Sequence, residues 1–106
     1  MTNIKVFEFD RTMPKFQNII NDENTMINII TLKKGEDLPK HNTNSNVYLT
    51  VLKGSGKLDS GGNIFDLREN MLLNIEKGTE MYIYNENSDI LSFCVTKIPN
   101  PNNLKG

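Results

Sequence analysis

Short β-prone runs separated by turn-forming residues constrain the fold of this chain more than any other feature. The runs are rich in Ile, Val, Leu, Phe, Tyr and Thr, and Gly, Asn, Asp, Ser or Pro stand between them. Such a series of short strands at near-regular spacing predicts an all-β sandwich or barrel. The predicted strands are IKVFEF (4–9), TMINIITL (25–32), NVYLTVLK (46–53), GKLDS (56–60), IFDL (64–67), MLLNI (71–75), EMYIYN (80–85) and SDILSFCVTKI (88–98).

Turn chemistry and the scarcity of helical patterns support this prediction. Gly61 and Gly62 readily supply the positive φ that a tight hairpin turn requires. No amphipathic helices of about ten residues alternate with the strands, which argues against a parallel α/β sheet. Only PKFQNIINDENT (14–25) is a candidate for a helical turn or two. The tail PNPNNLKG (99–106) has two prolines and little to bury, and it is predicted to lie loosely on the surface.

Length, charge and cysteine content limit the classes of function. The 106 residues fit one domain, and a net charge of −1 gives no electrostatic reason to expect nucleic acid or an acidic membrane surface. No apolar run approaches the roughly 20 residues that span a bilayer, and MTNIKVFEFD lacks the pattern of a secretory signal. Cys94 is the single cysteine and is predicted to be a buried, inert thiol, compatible with a cytoplasmic location. The abundance of Asn, Ile and Lys is typical of an AT-rich bacterial genome.

Two spacings are more specific than the strand series. The stretch 35–54 has the length of the motif G-x5-H-x-H-x3-E-x6-G, with Gly35, His41 and Gly54 in place. The stretch 70–85 has the length of G-x5-P-x-G-x2-H-x3-N, with Gly78 and Asn85 in place. These are the two motifs of the cupin family, and over roughly residues 25–97 the chain resembles a small single-domain cupin. The resemblance implies a double-stranded β-helix, also called a jelly-roll barrel.

The chain departs from both motifs at the positions that bind metal in the family. Of the family's four usual ligands, only His41 remains. The departures are Thr43 for the second histidine, Val47 for the glutamate, Asn70 for the first glycine of the second motif, Glu76 for the proline and Met81 for its histidine.

Metal binding is therefore not expected. Zn²⁺, Fe²⁺ and Mn²⁺ require several imidazole or carboxylate donors, whereas valine offers none and a hydroxyl or thioether is a poor ligand for these ions. We predict a degenerate site with no metal and no other cofactor. A site rescued by Glu36, Asp37 or Glu80 is a lesser alternative. Glu80 neighbours Met81 in a predicted strand and should face away from the inner wall.

Strand alternation predicts which side chains share the inner wall with the motif positions. That wall is expected to be a mostly apolar surface with a few polar groups, typical of a small-molecule site, although the same side chains could instead pack the barrel shut. His41 is either a hydrogen-bonded residue at a strand end or a group that binds an anionic or carbonyl ligand. The candidate ligand-binding residues are His41, Thr43, Val47, Leu49, Met81, Ile83 and Asn85.

The resemblance leaves three functions open. The first is a metal-free barrel that binds a small molecule or a partner without catalysis. The second is a cupin-type enzyme of the isomerase, epimerase or dioxygenase class that acts through His41. No second acid or base is visible on the inner wall, so no catalytic residue is assigned. The third is a structural dimer with a closed barrel.

The domain prediction has three parts and includes a homodimer. Residues 1–24 form an N-terminal strand and connecting segment in contact with a second copy, residues 25–97 form the barrel, and residues 98–106 form a tail. Family resemblance and the aromatic residues predicted on the outer face, Tyr48, Tyr82 and Tyr84, motivate the homodimer.

Overall fold

The protein consists of antiparallel β-strands, as the sequence predicts. A computed structural model describes residues 3–103, in which the only helix is a single turn of 3₁₀ helix at Pro101–Asn103. No helix in this part of the chain is long and apolar enough to cross a bilayer. The strands are β1 Phe16–Asn21, β2 Met26–Lys33, β3 Asp37–Asn42, β4 Asn46–Lys53, β5 Gly56–Ser60, β6 Asn63–Leu67, β7 Leu72–Ile75, β8 Glu80–Tyr84 and β9 Ile90–Ile98.

The strands form two sheets. One sheet has five strands in the order β1-β2-β9-β4-β7, and the other has four in the order β3-β8-β5-β6. Every strand pair is antiparallel, and β9 lies between β2 and β4 although it is last in the chain. The chain passes repeatedly from one sheet to the other, and this arrangement is the predicted double-stranded β-helix.

The core is the apolar layer between the two sheets. Alternate residues of the central strands enter it, so that β8 has the repeating pattern of buried Met81 and Ile83 between half-buried tyrosines. Phe93 is fully buried at the centre of β9 and contributes the largest side chain of the layer. The five-stranded sheet also contributes Leu32, Leu49, Val51 and Leu91, and the four-stranded sheet contributes Leu58, Leu67 and Ile83.

The motif glycines occupy turns that require a left-handed backbone. Gly35, Gly54 and Gly78 have φ of 88°, 80° and 87°. Asn70, at the first glycine position of the second motif, has a φ of 71°. Asparagine adopts this conformation more readily than most residues that carry a Cβ. The departure from glycine at position 70 therefore keeps the backbone geometry.

Two predictions about the N-terminal part are wrong. Residues 4–9 form no strand, because they have no ladder partner among the described residues despite their β-prone composition. The candidate helical segment 14–25 instead contains β1, whose residues Phe16–Asn21 pair with β2. β2 offers backbone hydrogen-bond partners to this segment. Pairing with β2 outweighs the weak local preference of the segment for a helical turn.

The described part of the tail is anchored rather than loose. Asn100 is buried, and its Nδ2 donates hydrogen bonds to Asn21 Oδ1 and to the carbonyl oxygen of Asp22, both at 2.6 Å. Its backbone N–H also donates to the carbonyl oxygen of Asn24. These bonds fasten the residues after β9 to the β1–β2 turn. Residues 104–106 of the predicted tail, like residues 1 and 2, lie outside the described residues.

The turn at Gly54 gives a stability prediction. A Cβ at this position would lie 1.7 Å from the carbonyl oxygen of Ile90, whereas a Cβ at Gly35, which also has a positive φ, meets nothing within 4 Å. Gly35→Ala should therefore lower the free energy of unfolding by about 1–2 kcal/mol, the strain of a left-handed alanine. Gly54→Ala should lower it by about 4 kcal/mol or more, measured by urea denaturation. Equal losses for the two variants would contradict the steric argument.

Candidate functional site

A cavity of about 120 Å³ lies between the two sheets, at the positions where the cupin motifs place their metal ligands. The four side chains His41, Thr43, Val47 and Met81 all line it. They come from β3, the turn after it, β4 and β8, so both sheets contribute to the wall. The fold thus brings together the predicted motif positions, and the barrel is not packed shut at this point.

Strand register explains why these side chains meet. His41 of β3 lies opposite Met81 of β8 in the four-stranded sheet. Val47 of β4 lies opposite Lys97 of β9 in the five-stranded sheet. Directly opposed residues of antiparallel strands project to the same face, so each pair presents both side chains to the space between the sheets. Val47 and Met81 are almost completely buried.

The hydroxyl of Thr43 has a structural role at the cavity wall. It donates a hydrogen bond to the carbonyl oxygen of Glu76 at 2.7 Å and accepts one from the backbone N–H of Thr79 at 3.1 Å. Together with the backbone bonds between Thr43, Gly78 and Thr79, these contacts fasten the end of β3 to the turn before β8. Because the hydroxyl proton is already donated, Thr43 contributes little polarity to the cavity.

His41 lies at the exposed rim of the cavity, and a local hydrogen bond orients its ring. Nδ1 is 2.9 Å from the carbonyl oxygen of Pro39, and a carbonyl can only accept, so Nδ1 carries the proton. Nε2 is then the ring nitrogen left to interact with a ligand.

Three predicted residues lie away from the cavity lining. Leu49 and Ile83 are completely buried in the apolar core. Asn85 is also buried, and its Nδ2 donates to the carbonyl oxygens of Leu32 at 3.0 Å and Ser88 at 2.8 Å. Its Oδ1 accepts from the backbone N–H of Ser88. These bonds hold the turn between β8 and β9, and a binding role for the three residues stays a prediction.

Sequence reasoning missed two polar residues of the cavity lining, Asn28 and Lys97. Lys97 is half-buried, and burial lowers the pKa of its ammonium group from the usual value. A signal was present in the sequence, because Lys97 follows Phe93 and Val95 at intervals of two in β9 and so takes an inward position. Asn28 is buried in β2 among isoleucines. Asparagine is seldom fully buried, so its presence in an apolar strand was a second signal.

The carboxylates considered for a rescued metal site are engaged elsewhere. Glu36 Oε1 accepts a hydrogen bond from the backbone N–H of Lys33 at 2.7 Å. Asp37 Oδ2 accepts one from the Tyr82 hydroxyl at 2.7 Å, and this bond raises the pKa of the tyrosine. Glu80 lies 3.7 Å from the ammonium of Lys40. Both Tyr82 and Glu80 face the outside of the four-stranded sheet, in a depression separate from the cavity.

The donor set does not fit a firmly bound transition metal. Within residues 3–103, no three His, Cys, Asp or Glu side chains are grouped in a way that could hold a metal ion. At the cavity, one imidazole nitrogen and one thioether are the available donors of the four motif positions. Zn²⁺ and Fe²⁺ sites require three or four nitrogen, oxygen or thiolate ligands.

A wider depression on the outer surface is less suited to be the site. It has a volume of about 550 Å³ and is lined by Lys40, Asp59, Glu80 and Tyr82. This depression lies open on one sheet and has charged side chains in its wall. The cavity between the sheets is smaller but more enclosed and mostly apolar, as small-molecule sites are. We therefore place the candidate site between the sheets.

Two facing antiparallel sheets and a cavity at the motif positions define the class of protein as a cupin. The chain is 37% identical over 103 residues to the uncharacterized protein MJ0764 of the archaeon Methanocaldococcus jannaschii, covering 94% of this chain and 89% of that protein. The crystal structure of that protein, described as an RmlC-like cupin family protein with a double-stranded β-helix fold, covers 100% of both chains with a TM-score of 0.89 and 35% identity. The protein described here belongs to the RmlC-like cupin family.

More distant structures share the fold alone. A cupin superfamily protein of Desulfitobacterium hafniense is 11% identical with a TM-score of 0.74, covering 87% of this chain and 83% of its own. A predicted oxalate decarboxylase of Thermotoga maritima is 14% identical with a TM-score of 0.70, covering 79% and 78%. No family model matches the sequence. Because one barrel supports many chemistries, these likenesses do not assign an activity.

Proposed function

We propose that this protein is a metal-free cupin that binds a small molecule in the cavity between its sheets, without catalysis. The observation that carries the proposal is the enclosed cavity lined by all four motif positions, of which three, Thr43, Val47 and Met81, carry a residue other than the family's metal ligand. An apolar wall with a few polar groups is the usual composition of a small-molecule site. The alternative, an enzyme acting through His41, has less support, since no carboxylate or tyrosine lines the described cavity and the other titratable group of its lining is Lys97.

The role of His41 can be tested in a ligand screen. Compounds that occupy the cavity should raise the melting temperature, because they bind the native state alone. His41→Ala should abolish or strongly reduce these shifts while leaving the fold intact, since the exposed ring contributes little to the core. Lys40→Ala is the matched control, because Lys40 neighbours His41 in β3 but is paired with Glu80 on the outer surface. Shifts that survive His41→Ala unchanged would exclude a role for the imidazole.

The absence of a resident metal is the second prediction. Protein purified without chelator should contain well under one equivalent of Zn, Fe, Mn, Ni or Cu per chain, measured by elemental analysis. The physical reason is the loss of three of the four family donors at Thr43, Val47 and Met81. Val47→Glu together with Met81→His restores two donors and should raise the zinc content after reconstitution. Stoichiometric metal in the wild-type protein would contradict the proposal.

We also propose that the protein is a homodimer. The N-terminal segment exposes a series of apolar side chains, with Ile4 and Val6 about four-fifths exposed and Phe7 and Phe9 about half exposed. No strand of the described chain pairs with this β-prone segment. Exposed apolar segments of this length are a liability in a monomer, and a second copy would cover them.

The outer face of the five-stranded sheet fits the same role. The register of β4 shifts between Val51 and Lys53. The residues of β9, and those of β4 before this shift, that point away from the core carry no charge. The solvated face of an antiparallel sheet is normally polar. Interface cores are depleted in charged residues and enriched in tyrosine. The outward residues that are at least partly exposed are Cys94, Thr96 and Ile98 of β9 and Asn46, Tyr48 and Thr50 of β4.

A charge placed on this face tests the dimer. Light scattering at micromolar concentration should give the mass of two chains for the wild type. Tyr48→Lys should lower the measured mass toward that of one chain, because the interface would bury an unpaired charge. Ile64→Lys is the matched control, since Ile64 is an exposed apolar residue on the outer face of the other sheet. A wild-type monomer, or equal effects of the two substitutions, would count against the proposed interface.

A further inference from the structure

Lys97 is a half-buried cation that has no carboxylate within 4 Å among residues 3–103. It lies on the inward face of β9, opposite Val47 on one side and Met26 on the other, and it lines the cavity. In the part of the chain that the structure describes, the lysines within 4 Å of a carboxylate are Lys40 and Lys57. Burial lowers the pKa of Lys97 from its usual value.

An ammonium group in this position costs the folded protein stability. Removing a charge from water is unfavourable unless an opposite charge or several hydrogen bonds compensate for it. Lysine can usually avoid this cost by extending its ammonium into solvent. Here the side chain starts from an inward position beside Val95 and Val47, its ammonium is half-buried, and residues 3–103 place no carboxylate within 4 Å of it. A bound ligand could supply the missing negative charge.

Asn28 presents a second free donor at the same cavity. Its Oδ1 accepts a hydrogen bond from Asn18 Nδ2 at 2.7 Å, which orients the amide. Its Nδ2 donates to no protein atom among residues 3–103 and is open to solvent, since no fully buried side-chain nitrogen or oxygen of these residues lacks a partner. No carboxylate lines the described cavity. The ammonium of Lys97 and this amide nitrogen are both donors, and donors with a positive charge select an anion.

The rest of the wall and the volume limit the size of this anion. Ile30, Val47 and Val95 form an apolar wall beside Lys97. A volume of about 120 Å³ corresponds to about four water molecules at roughly 30 Å³ each. Such a space accommodates a carboxylate with a short alkyl chain, while the apolar wall disfavours a fully hydrated inorganic anion.

We infer that the cavity binds a short-chain monocarboxylate of about two to four carbons, with its carboxylate on Lys97 and Asn28 and its alkyl chain against the apolar wall. This inference rests on the proposed function, since it names the ligand class of the same cavity. His41 lies at the exposed rim of the same cavity. No chemical step is part of the inference.

Sodium propionate and its neutral isostere propionamide are the probes, with binding measured by calorimetry and by the shift in melting temperature. Propionate should bind the wild-type protein at least about tenfold more tightly than propionamide, because charge-assisted hydrogen bonds to Lys97 exist only with the anion. Lys97→Met should reduce propionate affinity by at least about tenfold. Lys40→Met is the control, because this lysine is paired with Glu80 outside the cavity, and it should leave the affinity unchanged.

Melting temperature without ligand separates a binding role from a structural one. Lys97→Met should melt at a higher temperature than the wild type, because an uncompensated half-buried charge is removed and an apolar side chain takes its place. A substitution that stabilises the fold and abolishes propionate binding identifies Lys97 as a ligand-binding residue. A variant that melts at a lower temperature would show that Lys97 supports the fold, and would overturn the argument.

The outcomes also separate this inference from the proposed function. Equal binding of propionate and propionamide, unaffected by Lys97→Met, would refute the carboxylate but leave a small-molecule cavity. Sodium sulfate that binds as tightly as propionate would refute the selection of an alkyl carboxylate. If neither these probes nor a broader screen of neutral, cationic and anionic compounds shifts the melting temperature, both the inference and the proposed function fail.

Discussion

The apolar layer between the two sheets is the interaction on which the rest of the structure depends. Leu32, Leu49 and Phe93 on one sheet face Leu58 and Ile83 on the other, all of them buried. Burial of such side chains stabilises a fold by about 1.5–3 kcal/mol each. It also fixes the register, because a slip of one residue would turn every core side chain of a strand to the outer face. The same register decides that His41 and Met81 share a wall with Val47 and Lys97. The cavity is therefore a local gap in the core layer.

The two cupin motifs contain two kinds of position, and this protein separates them. The turn positions keep their backbone conformation, since Gly35, Gly54 and Gly78 have positive φ and Asn70 adopts the same geometry in place of glycine. Of the four positions that hold the metal ligands in the motifs, His41 alone carries a family ligand here. The turns are required by the path of the chain between sheets whatever the barrel binds, whereas metal ligands are required only by a metal. The backbone geometry of the motifs can therefore be kept independently of their ligand residues.

Lys97 illustrates how a site can oppose stability. Its ammonium is half-buried with no carboxylate within 4 Å among the described residues, at a position where an apolar side chain would pack more favourably. Asn28 lines the same cavity and uses its Oδ1 within the protein, while its Nδ2 donates to no described protein atom. Residues that cost stability in an otherwise regular core are commonly those that serve binding. The closed parts of the barrel show the opposite pattern, because the buried Asn85 satisfies both ends of its amide within the chain.

Local sequence determined most of the strands and the class of fold. Alternation and turn residues located β2 and the strands from β4 to β9, because each of these segments carries its own apolar face and its own turn signals. The spacing of the motif residues was sufficient to indicate the cupin family and the wall formed by His41, Thr43, Val47 and Met81. The alternation of side chains along β9 would also have placed Lys97 on the inward face. This alternation could not show which charged groups surround its ammonium.

Only the tertiary structure decided the elements that form by contact with a distant segment of the same chain. β1 exists because β2 offers its edge, and β3, with Pro39 and few β-branched residues, is held by pairing with β8. Asn100 anchors the tail through contacts with residues about 75 positions earlier. Likewise, whether the barrel was packed shut or hollow depends on how side chains from both sheets fill the space between them. Such long-range contacts leave no periodic signal in the local sequence, so they become visible only when the chain is folded.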